Sequence, residues 1–334
     1  MQQNTFLITI LVAFGCGELH PAVGGDAPDG GAEAVGGADA APVPDAGLSA
    51  DAGGAGFTPG EIYPTKGGGR VWYLPDDADR ASAEWQPETL DVIQVAPGVF
   101  RTQGDPSGQV RLDVPSPPGA AWWQDVEMTG YFRYTGLVSS SQQPHWELFA
   151  RGERHSSSAL TGDQINGGVA APPGTVTWPG YPYGSGPVDP HCLGTAYHGN
   201  AYTSGRTLFE KEISHTAGYA AQRAVAFPAG FVPSVNSWFG LKFVLRNAEA
   251  GQRVHMELWI DADASGNWAL ATQTDDTPGG WAASSTTLDG CSMPPFGYGS
   301  SQILGWAGPW VTFRSDAMTI EFRALSVREI GPLP

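Results

Sequence analysis

The chain has 334 residues, of which 17 are Lys or Arg and 34 are Asp or Glu, so its formal net charge at pH 7 is −17. Nucleic acid and anionic lipid headgroups are themselves negative, and this bulk charge argues against both as partners. An acidic substrate is not excluded, because a few basic side chains gathered in one groove outweigh the net charge locally.

Residues 1–16 combine a short apolar run at 6–14 with Gly15 and Cys16. The run is too short to cross a bilayer as a helix but suits the hydrophobic part of a signal peptide. A small residue followed by Cys resembles the lipobox of bacterial lipoproteins. That resemblance implies that Cys16 is lipidated and that the protein is an exported outer-membrane or cell-surface lipoprotein, which touches the membrane only through its lipid. A plain secretory signal is the alternative.

Residues 17–56 consist mainly of Gly, Ala, Asp and Pro and contain no Lys or Arg. Such a segment has almost nothing apolar to bury, so chain entropy keeps it disordered. We predict a disordered tether here, and a single folded domain at 57–334.

The domain sequence alternates apolar and polar residues in short runs between Gly and Pro clusters, which is typical of β-strands. In the final run, the alternation predicts that Ile320, Phe322 and Ala324 face one way, and Leu325 the other. The predicted strands lie at 70–74, 125–135, 145–151, 207–215, 217–226, 238–246, 253–261, 267–273, 303–306, 311–314 and 318–330.

This many strands without helices predicts an all-β domain, a two-sheet antiparallel β-sandwich of the jelly-roll type. The order of elements resembles the concanavalin-A-like lectin and glucanase superfamily. The resemblance implies that the N-terminal strand, at about 61–74, lies beside the C-terminal strand at 318–330. A fold alone does not fix a function.

Three cysteines are present, and lipidation of Cys16 leaves Cys192 and Cys291. An even number of cysteines in an oxidising compartment predicts a disulfide between them. Two free buried thiols are the alternative.

Two predicted strands carry most of the polar side chains that suit chemistry. By strand parity, Glu147 shares a face with Arg151, and Lys211 shares a face with His215. The substrate-binding candidates on or near these strands and in a long aromatic loop are Glu147, Arg154, His155, His198, Lys211 and Trp178.

Arg, His and Tyr are the side chains that β-elimination of a uronic-acid polysaccharide requires. A cation neutralises the sugar carboxylate, a base removes the neighbouring proton, and an acid protonates the leaving oxygen. We predict Arg151 as the cation, His215 as the base, and Tyr197 or Tyr219 as the acid. Cross-strand ion pairs on a solvated sheet are the alternative interpretation.

Residues 147–151, Glu-Leu-Phe-Ala-Arg, resemble the Arg-(Ser/Thr)-Glu-Leu-Arg strand of jelly-roll polysaccharide lyases of the alginate-lyase and glucuronan-lyase type. Residues 212–215, Glu-Ile-Ser-His, are similar to their Gln-Ile-His strand, with Glu in place of Gln and an additional Ser. The resemblance implies a lyase. Non-catalytic binding of a polysaccharide is the first alternative, and hydrolysis by Glu147 and Glu212 is the second.

No cofactor is required for these activities, but one segment suggests a structural ion. Asp261, Asp263, Ser265 and Asn267 place side-chain oxygens at alternate positions, and Gly266 allows a sharp turn, which resembles the first half of a calcium loop. A polar hairpin tip is the alternative, since Asp, Gly and Asn also favour turns.

Overall fold

The computed structural model describes residues 60–76, 86–87, 92–102, 109–116, 121–137, 143–152, 160–161, 187–188, 196–212, 219–281, 303–308 and 310–334. These residues contain strands and two short 3-10 turns, Pro228–Gly230 and Glu249–Gly251. Among them, no helix is long and apolar enough to cross a membrane.

The strands, numbered in chain order, are β1 (Val71–Tyr73), β2 (Gln86–Pro87), β3 (Val92–Ala96), β4 (Val99–Thr102), β5 (Gln109–Pro115), β6 (Val126–Leu137), β7 (His145–Gly152), β8 (Leu160–Thr161), β9 (Pro187–Val188), β10 (Ala196–Tyr202), β11 (Arg206–Glu212), β12 (Tyr219–Ala221), β13 (Val225–Ala226), β14 (Phe239–Ala248), β15 (Arg253–Asp261), β16 (Ala269–Asp276), β17 (Trp310–Asp316) and β18 (Met318–Glu329).

Two large sheets contain nearly all of these strands. Sheet A has the order β16-β15-β14-β6-β18-β4-β3, with β1 also paired to β18, and sheet B has the order β12-β11-β10-β7-β17-β5-β2, with β13 also paired to β11. Strands β8 and β9 form a separate pair. Neighbouring strands in both sheets are antiparallel, so the predicted two-sheet antiparallel β-sandwich is confirmed.

The core lies between the sheets and follows the alternation of each strand. On β6, Val126, Met128 and Phe132 belong to the hydrophobic core, whereas Glu127 and Thr129 lie on the opposite face. Each strand of a sandwich therefore contributes every second side chain to the core and leaves the others on an outer face.

Close contacts across the core bring β10 of sheet B against sheet A. Trp146 on β7 packs edge-on against Phe239 on β14, with ring centroids 4.7 Å apart. A Cβ added at Gly199 on β10 would lie 2.6 Å from Cδ2 of Leu258 on β15. Only glycine permits this approach, which sets how closely β10 packs under the opposite sheet.

The prediction that the N-terminal and C-terminal strands of the domain lie side by side is confirmed. Strand β1 pairs with β18, with Val71 opposite Arg328, and an isolated bridge joins Thr65 to Ile330. The prediction of a strand at 253–261 matches β15 at both ends.

The predicted alternation of the final strand was wrong beyond Phe322. Ala324 has a positive φ of 48°, and the pairing of β18 with β6 shifts at this point. This β-bulge adds one residue and reverses the parity, so Leu325 and Val327 enter the core that Ile320 and Phe322 begin. The predicted strand at 303–306 is not a strand in the structure.

Candidate functional site

Polar and titratable side chains concentrate on the outer face of sheet B. Four adjacent strands, β11, β10, β7 and β17, turn their non-core residues to this side. We call this set the polar face; its members are His145, Glu147, His198, Asn200, Tyr202, Glu210, Glu212, Arg314 and Asp316.

His198 lies at the centre of the polar face between two carboxylates. Its Nδ1 is 3.4 Å from Oε2 of Glu147 on β7, and its Nε2 is 3.3 Å from Oε2 of Glu212 on β11. The ring of Phe149 stacks on the imidazole at a centroid distance of 4.8 Å. Burial by itself lowers the pKa of His198, but hydrogen bonds with the two carboxylates raise it to about 10, which keeps the imidazolium form at neutral pH.

Glu147 joins His198 to a second set of charges. Its carboxylate lies 3.0 Å from Nε2 of His145 and 3.1 Å from Nη1 of Arg314. Arg314 in turn donates two hydrogen bonds of 2.7 Å to Asp316. Burial alone raises the pKa of Glu147, yet Arg314 and the two histidines hold it well below its usual range. Glu147 is therefore ionised and fixed in position by three partners.

Asn200 occupies the same face, two residues after His198. Its Nδ2 donates to Oε2 of Glu210 at 2.7 Å. Its side chain is fully buried, and its Oδ1 accepts no hydrogen bond from the described part of the chain. Glu147, His198 and Glu210 each offer one ligand atom, and these three atoms lie within 4.8 Å of one another, so this group can hold a metal ion.

The polar face is accessible where β10 and β11 meet. Tyr202, Leu208 and Glu210 are half-buried, whereas His198 and Asn200 behind them are buried. The Tyr202 ring stacks on His145 with centroids 5.0 Å apart. A ligand reaching this edge would first meet an aromatic ring, an aliphatic side chain and a carboxylate.

Of the predicted site residues, the structure brings Glu147 and His198 together on the polar face. Arg151 does not join them, and the prediction that it shares a face with Glu147 was wrong. It is an additional residue in the pairing of β7 with β17 and has a φ of 62°, so the bulge breaks the alternation. Its buried guanidinium contacts Oδ1 of Asp125 at 3.3 Å and the backbone carbonyls of Gln124 and Leu304.

Tyr197 and Lys211 lie between the sheets rather than on the polar face. Asp276 on β16 accepts hydrogen bonds from the Tyr197 hydroxyl and, at 2.9 Å, from Nζ of Lys211. Lys211 also donates to the carbonyl oxygen of Trp281 at 2.6 Å. Burial and Asp276 raise the pKa of Tyr197, which keeps its phenol protonated. Both side chains connect sheet B to sheet A.

The other predicted residues divide into two groups. Tyr219 begins β12 and is in register with Glu212 on β11. The remaining ones lie outside the described residues; they are Cys16, Arg154, His155, Trp178, Cys192, His215 and Cys291.

The predicted calcium segment forms the turn between β15 and β16. Asp261 accepts hydrogen bonds from the backbone N–H groups of Ser265 and Gly266, at 3.1 and 2.7 Å. Asp263 accepts from the Ser265 N–H and hydroxyl. Burial and the nearby Asp263 carboxylate raise the pKa of Asp261. The bonds to the backbone are those of a polar hairpin tip, and the two adjacent carboxylates are also a feature of cation sites.

The sequence reasoning missed His145, Asn200, Arg314 and Asp316 as parts of one site. Alternation within 311–316 indicates that Arg314 and Asp316 share a face. It does not indicate that this face adjoins Glu147, because that depends on β17 pairing with β7.

Comparisons with known proteins found similarity only among solved structures, since no family model and no curated protein matches the chain. A protein of unknown function with a galectin-like fold from Bacillus subtilis is 13% identical, with a TM-score of 0.40, over 81% of this chain and 100% of that one. The metal-free carbohydrate recognition domain of Emp46p is 9% identical, with a TM-score of 0.41, over 78% and 97%. The winged bean acidic lectin complexed with methyl-alpha-D-galactose is 10% identical, with a TM-score of 0.38, over 78% and 97%.

Proposed function

We propose that the protein is an exported, lipid-anchored protein that binds a polysaccharide at the accessible edge of the polar face. The observation that carries this proposal is the half-buried pair Tyr202 and Glu210 beside buried, mutually paired polar side chains. Ligand sites commonly combine apolar and aromatic surface with a few well-placed polar groups. A tyrosine offers both an apolar ring and a hydroxyl, which suits a sugar ring.

The charged groups behind this edge are fixed before any ligand arrives. Glu147 is held by His145, His198 and Arg314, and Arg314 is held by Asp316. Groups that are already ordered lose little side-chain entropy when a ligand binds. Sugar hydroxyls can donate to the Glu210 carboxylate and exchange hydrogen bonds with the Tyr202 hydroxyl.

The test is binding of the full chain to a panel of neutral and uronic-acid polysaccharides. Tyr202→Ala is expected to lower the affinity for the bound polymer by at least about 10-fold, because it removes an aromatic contact and a hydroxyl. Tyr73→Ala is the matched control, since Tyr73 is an exposed tyrosine on β1 of sheet A. Equal losses in both variants, or no binding to any polymer, would contradict the proposal.

Cleavage by β-elimination is a second candidate function. Arg314 and His198 both contact Glu147, so a cation and an imidazole lie on one face. Both side chains are buried, so the sugar would have to pass Tyr202 and Glu210 to reach them. Arg314 would then neutralise the uronate carboxylate, and His198, between two carboxylates, would donate a proton to the leaving glycosidic oxygen. We keep His215, three residues after Glu212 in the sequence, as the base that takes the proton adjacent to the carboxylate as the C=C bond forms.

Unsaturated sugar ends absorb in the ultraviolet, which makes elimination directly measurable. We expect the absorbance to rise with at least one uronic-acid polymer, and His215→Ala to abolish the rise while binding persists. Intact binding with no absorbance change on any uronic-acid polymer would exclude the lyase and leave binding alone. Activity retained in His215→Ala would refute its assignment as the base.

Two further proposals concern the anchor and calcium. Cys16→Ser is expected to prevent incorporation of labelled fatty acid, and unchanged labelling would contradict the lipid anchor.

Calcium at the neighbouring carboxylates Asp261 and Asp263 is expected to raise the melting temperature of the wild-type protein but not of Asp263→Ala. No rise in the wild-type protein would leave these residues as a hairpin tip.

A further inference from the structure

The donor atoms around His198 are arranged as ligands rather than as a simple ion pair. Glu147, His198 and Glu210 come from three adjacent strands, and their ligand atoms lie within 4.8 Å of one another. His198 is in register with Glu210 on one side and with Phe149 on the other. Rigid pairing on both sides of β10 therefore fixes the positions of all three donors.

A fourth oxygen adjoins this group. Asn200 is in register with Glu147, and its buried Oδ1 accepts no hydrogen bond from any described residue. The orientation of the amide follows from its other end, because Nδ2 donates to Glu210 at 2.7 Å. A buried carbonyl oxygen that accepts nothing costs free energy, and a cation beside it removes that cost.

The local charges also favour a cation. Three carboxylates, those of Glu147, Glu210 and Glu212, surround the single imidazole of His198. The nearby Arg314 is shared between Glu147 and Asp316. Buried negative charge is stable only when it is paired or bound to a metal.

We propose that Glu147, His198 and Glu210, with Oδ1 of Asn200, form a binding site for a divalent transition-metal ion, for which Zn²⁺ is the best-fitting probe. Binding releases the proton of His198 to solvent, and the neutral imidazole nitrogen with carboxylate oxygens is a donor set that zinc accepts at four-coordinate sites, whereas calcium prefers six to eight oxygens. The proposal goes beyond polysaccharide binding and does not depend on it. It is an alternative to proton donation by His198, because a nitrogen that binds the ion carries no proton.

The first experiment measures metal binding to the chelator-treated full chain by titration calorimetry, with ZnCl2 and CaCl2 as separate titrants. We expect the chain to bind one Zn²⁺ at this site. The affinity of the site for Zn²⁺ is expected to exceed its affinity for Ca²⁺. Glu210→Gln is expected to weaken zinc binding by at least about 10-fold, and His198→Ala by about 100-fold or more. Glu210 is half-buried, so its variant tests the site with little disturbance to the core.

The matched control is a second cluster of similar composition on sheet A, in which His255 contacts Glu257 and Asp275 at 2.9 and 2.8 Å. His255→Ala is expected to leave zinc binding unchanged. Asn200→Asp is expected to strengthen it by about 10-fold, because the fourth oxygen becomes anionic. Each variant is compared by circular dichroism with the wild-type protein to verify its fold.

Three outcomes would overturn the site. One is the absence of stoichiometric zinc binding in the wild-type chain. Another is zinc affinity that survives in both Glu210→Gln and His198→Ala, because the ion would then be held elsewhere, for example by cysteine thiols. The third is loss of binding in His255→Ala. Unchanged affinity in Asn200→Asp would remove Asn200 from the ligand set.

Discussion

The outer faces of the two sheets both bury a carboxylate between cations, but they differ in what covers it. On sheet A, Glu127 contacts Lys242 and Arg328, each at 2.8 Å. The backbone N–H groups of Ile62 and Tyr63 also donate to it. The segment that precedes β1 therefore covers this carboxylate with its own main chain.

On sheet B, the described contacts of Glu147 are all with side chains, those of His145, His198 and Arg314. The neighbouring Asn200 still has a carbonyl oxygen that accepts nothing from described residues. The difference teaches that buried charge by itself does not mark a binding site. A hydrogen-bonding group without a protein partner is the more specific sign.

The largest expected effect concerns the buried carboxylate on the outer face of sheet A. Lys242→Met leaves Glu127 buried with one cation fewer and is expected to lower the free energy of unfolding by about 3–5 kcal/mol. Urea denaturation measures the loss. The double variant Glu127→Gln, Lys242→Met is expected to lose less than the single one, because it leaves no uncompensated carboxylate. A loss below about 1 kcal/mol in the single variant would contradict the structural role of the pair.

A pair of equivalent substitutions tests whether the two faces have different tasks. Arg314→Lys keeps the charge but removes the bidentate contact with Asp316, so Glu147 is held less firmly behind the binding edge. Polysaccharide affinity is therefore expected to fall about 10-fold, and the free energy of unfolding by about 1–2 kcal/mol. Arg328→Lys on sheet A is expected to reduce stability similarly and leave binding unchanged. Binding assays and urea denaturation of both variants give the comparison. Weaker binding in Arg328→Lys to the same extent would remove the distinction between the faces.

A substitution in the segment that precedes β1 and covers Glu127 has a smaller expected effect. The Tyr63 hydroxyl donates to Oε1 of Glu257 at 2.6 Å, and burial together with Glu257 raises the pKa of Tyr63 to about 12. Tyr63→Phe removes this charge-assisted hydrogen bond and is expected to cost about 1–2 kcal/mol by thermal or urea denaturation. Tyr73→Phe, on an exposed tyrosine, is expected to cost nothing measurable. Equal values for the two would show that the segment contributes no specific contact.

The smallest expected effect is a pH dependence on sheet A. Hydrogen bonds to Glu257 raise the pKa of His255 against the effect of burial, and Asp275 adds to the rise. Arg246 is opposite His255 in register, and Arg253 contacts Asp275. Because the folded pKa exceeds the unfolded one, the stabilisation is complete below about pH 6.5 and is lost as pH rises through the folded value.

Urea midpoints measured from pH 5.5 to 9 for the wild-type protein and His255→Gln test this dependence. We expect a difference of less than about 1 kcal/mol at low pH, which disappears at high pH. A difference that grows with pH would have the opposite sign and would contradict the raised pKa.

The sheet architecture was predictable from the sequence because alternation and turn residues are local signals. The exact match of β15 and the pairing of β1 with β18 follow from such signals and from the resemblance to known sandwiches. The bulges at Arg151 and Ala324 were not predictable. Each depends on one backbone dihedral, and apolar Ala324 fits the alternation of Ile320 and Phe322 although the core continues with Leu325.

The candidate site was only partly predictable for a different reason. Glu147 and His198 were identified because their residue types suit chemistry, but Arg314 was not linked to them. Their contact depends on β7 lying between β10 and β17, strands that are distant in sequence. Register across such strands is set by packing of the whole core, so one sequence does not determine which polar residues meet.

The neighbouring ends of the domain provide the geometry that insertion of a domain into another chain requires. The N–H of Lys66 donates to the carbonyl oxygen of Glu329 at 3.0 Å, so the chain enters and leaves the sandwich at one place. A host loop whose two ends are about 5 Å apart, the usual distance between paired strands, could accept the domain without being stretched. The same proximity means that a short peptide could join the two ends and that the chain could be reopened at the turn after β15.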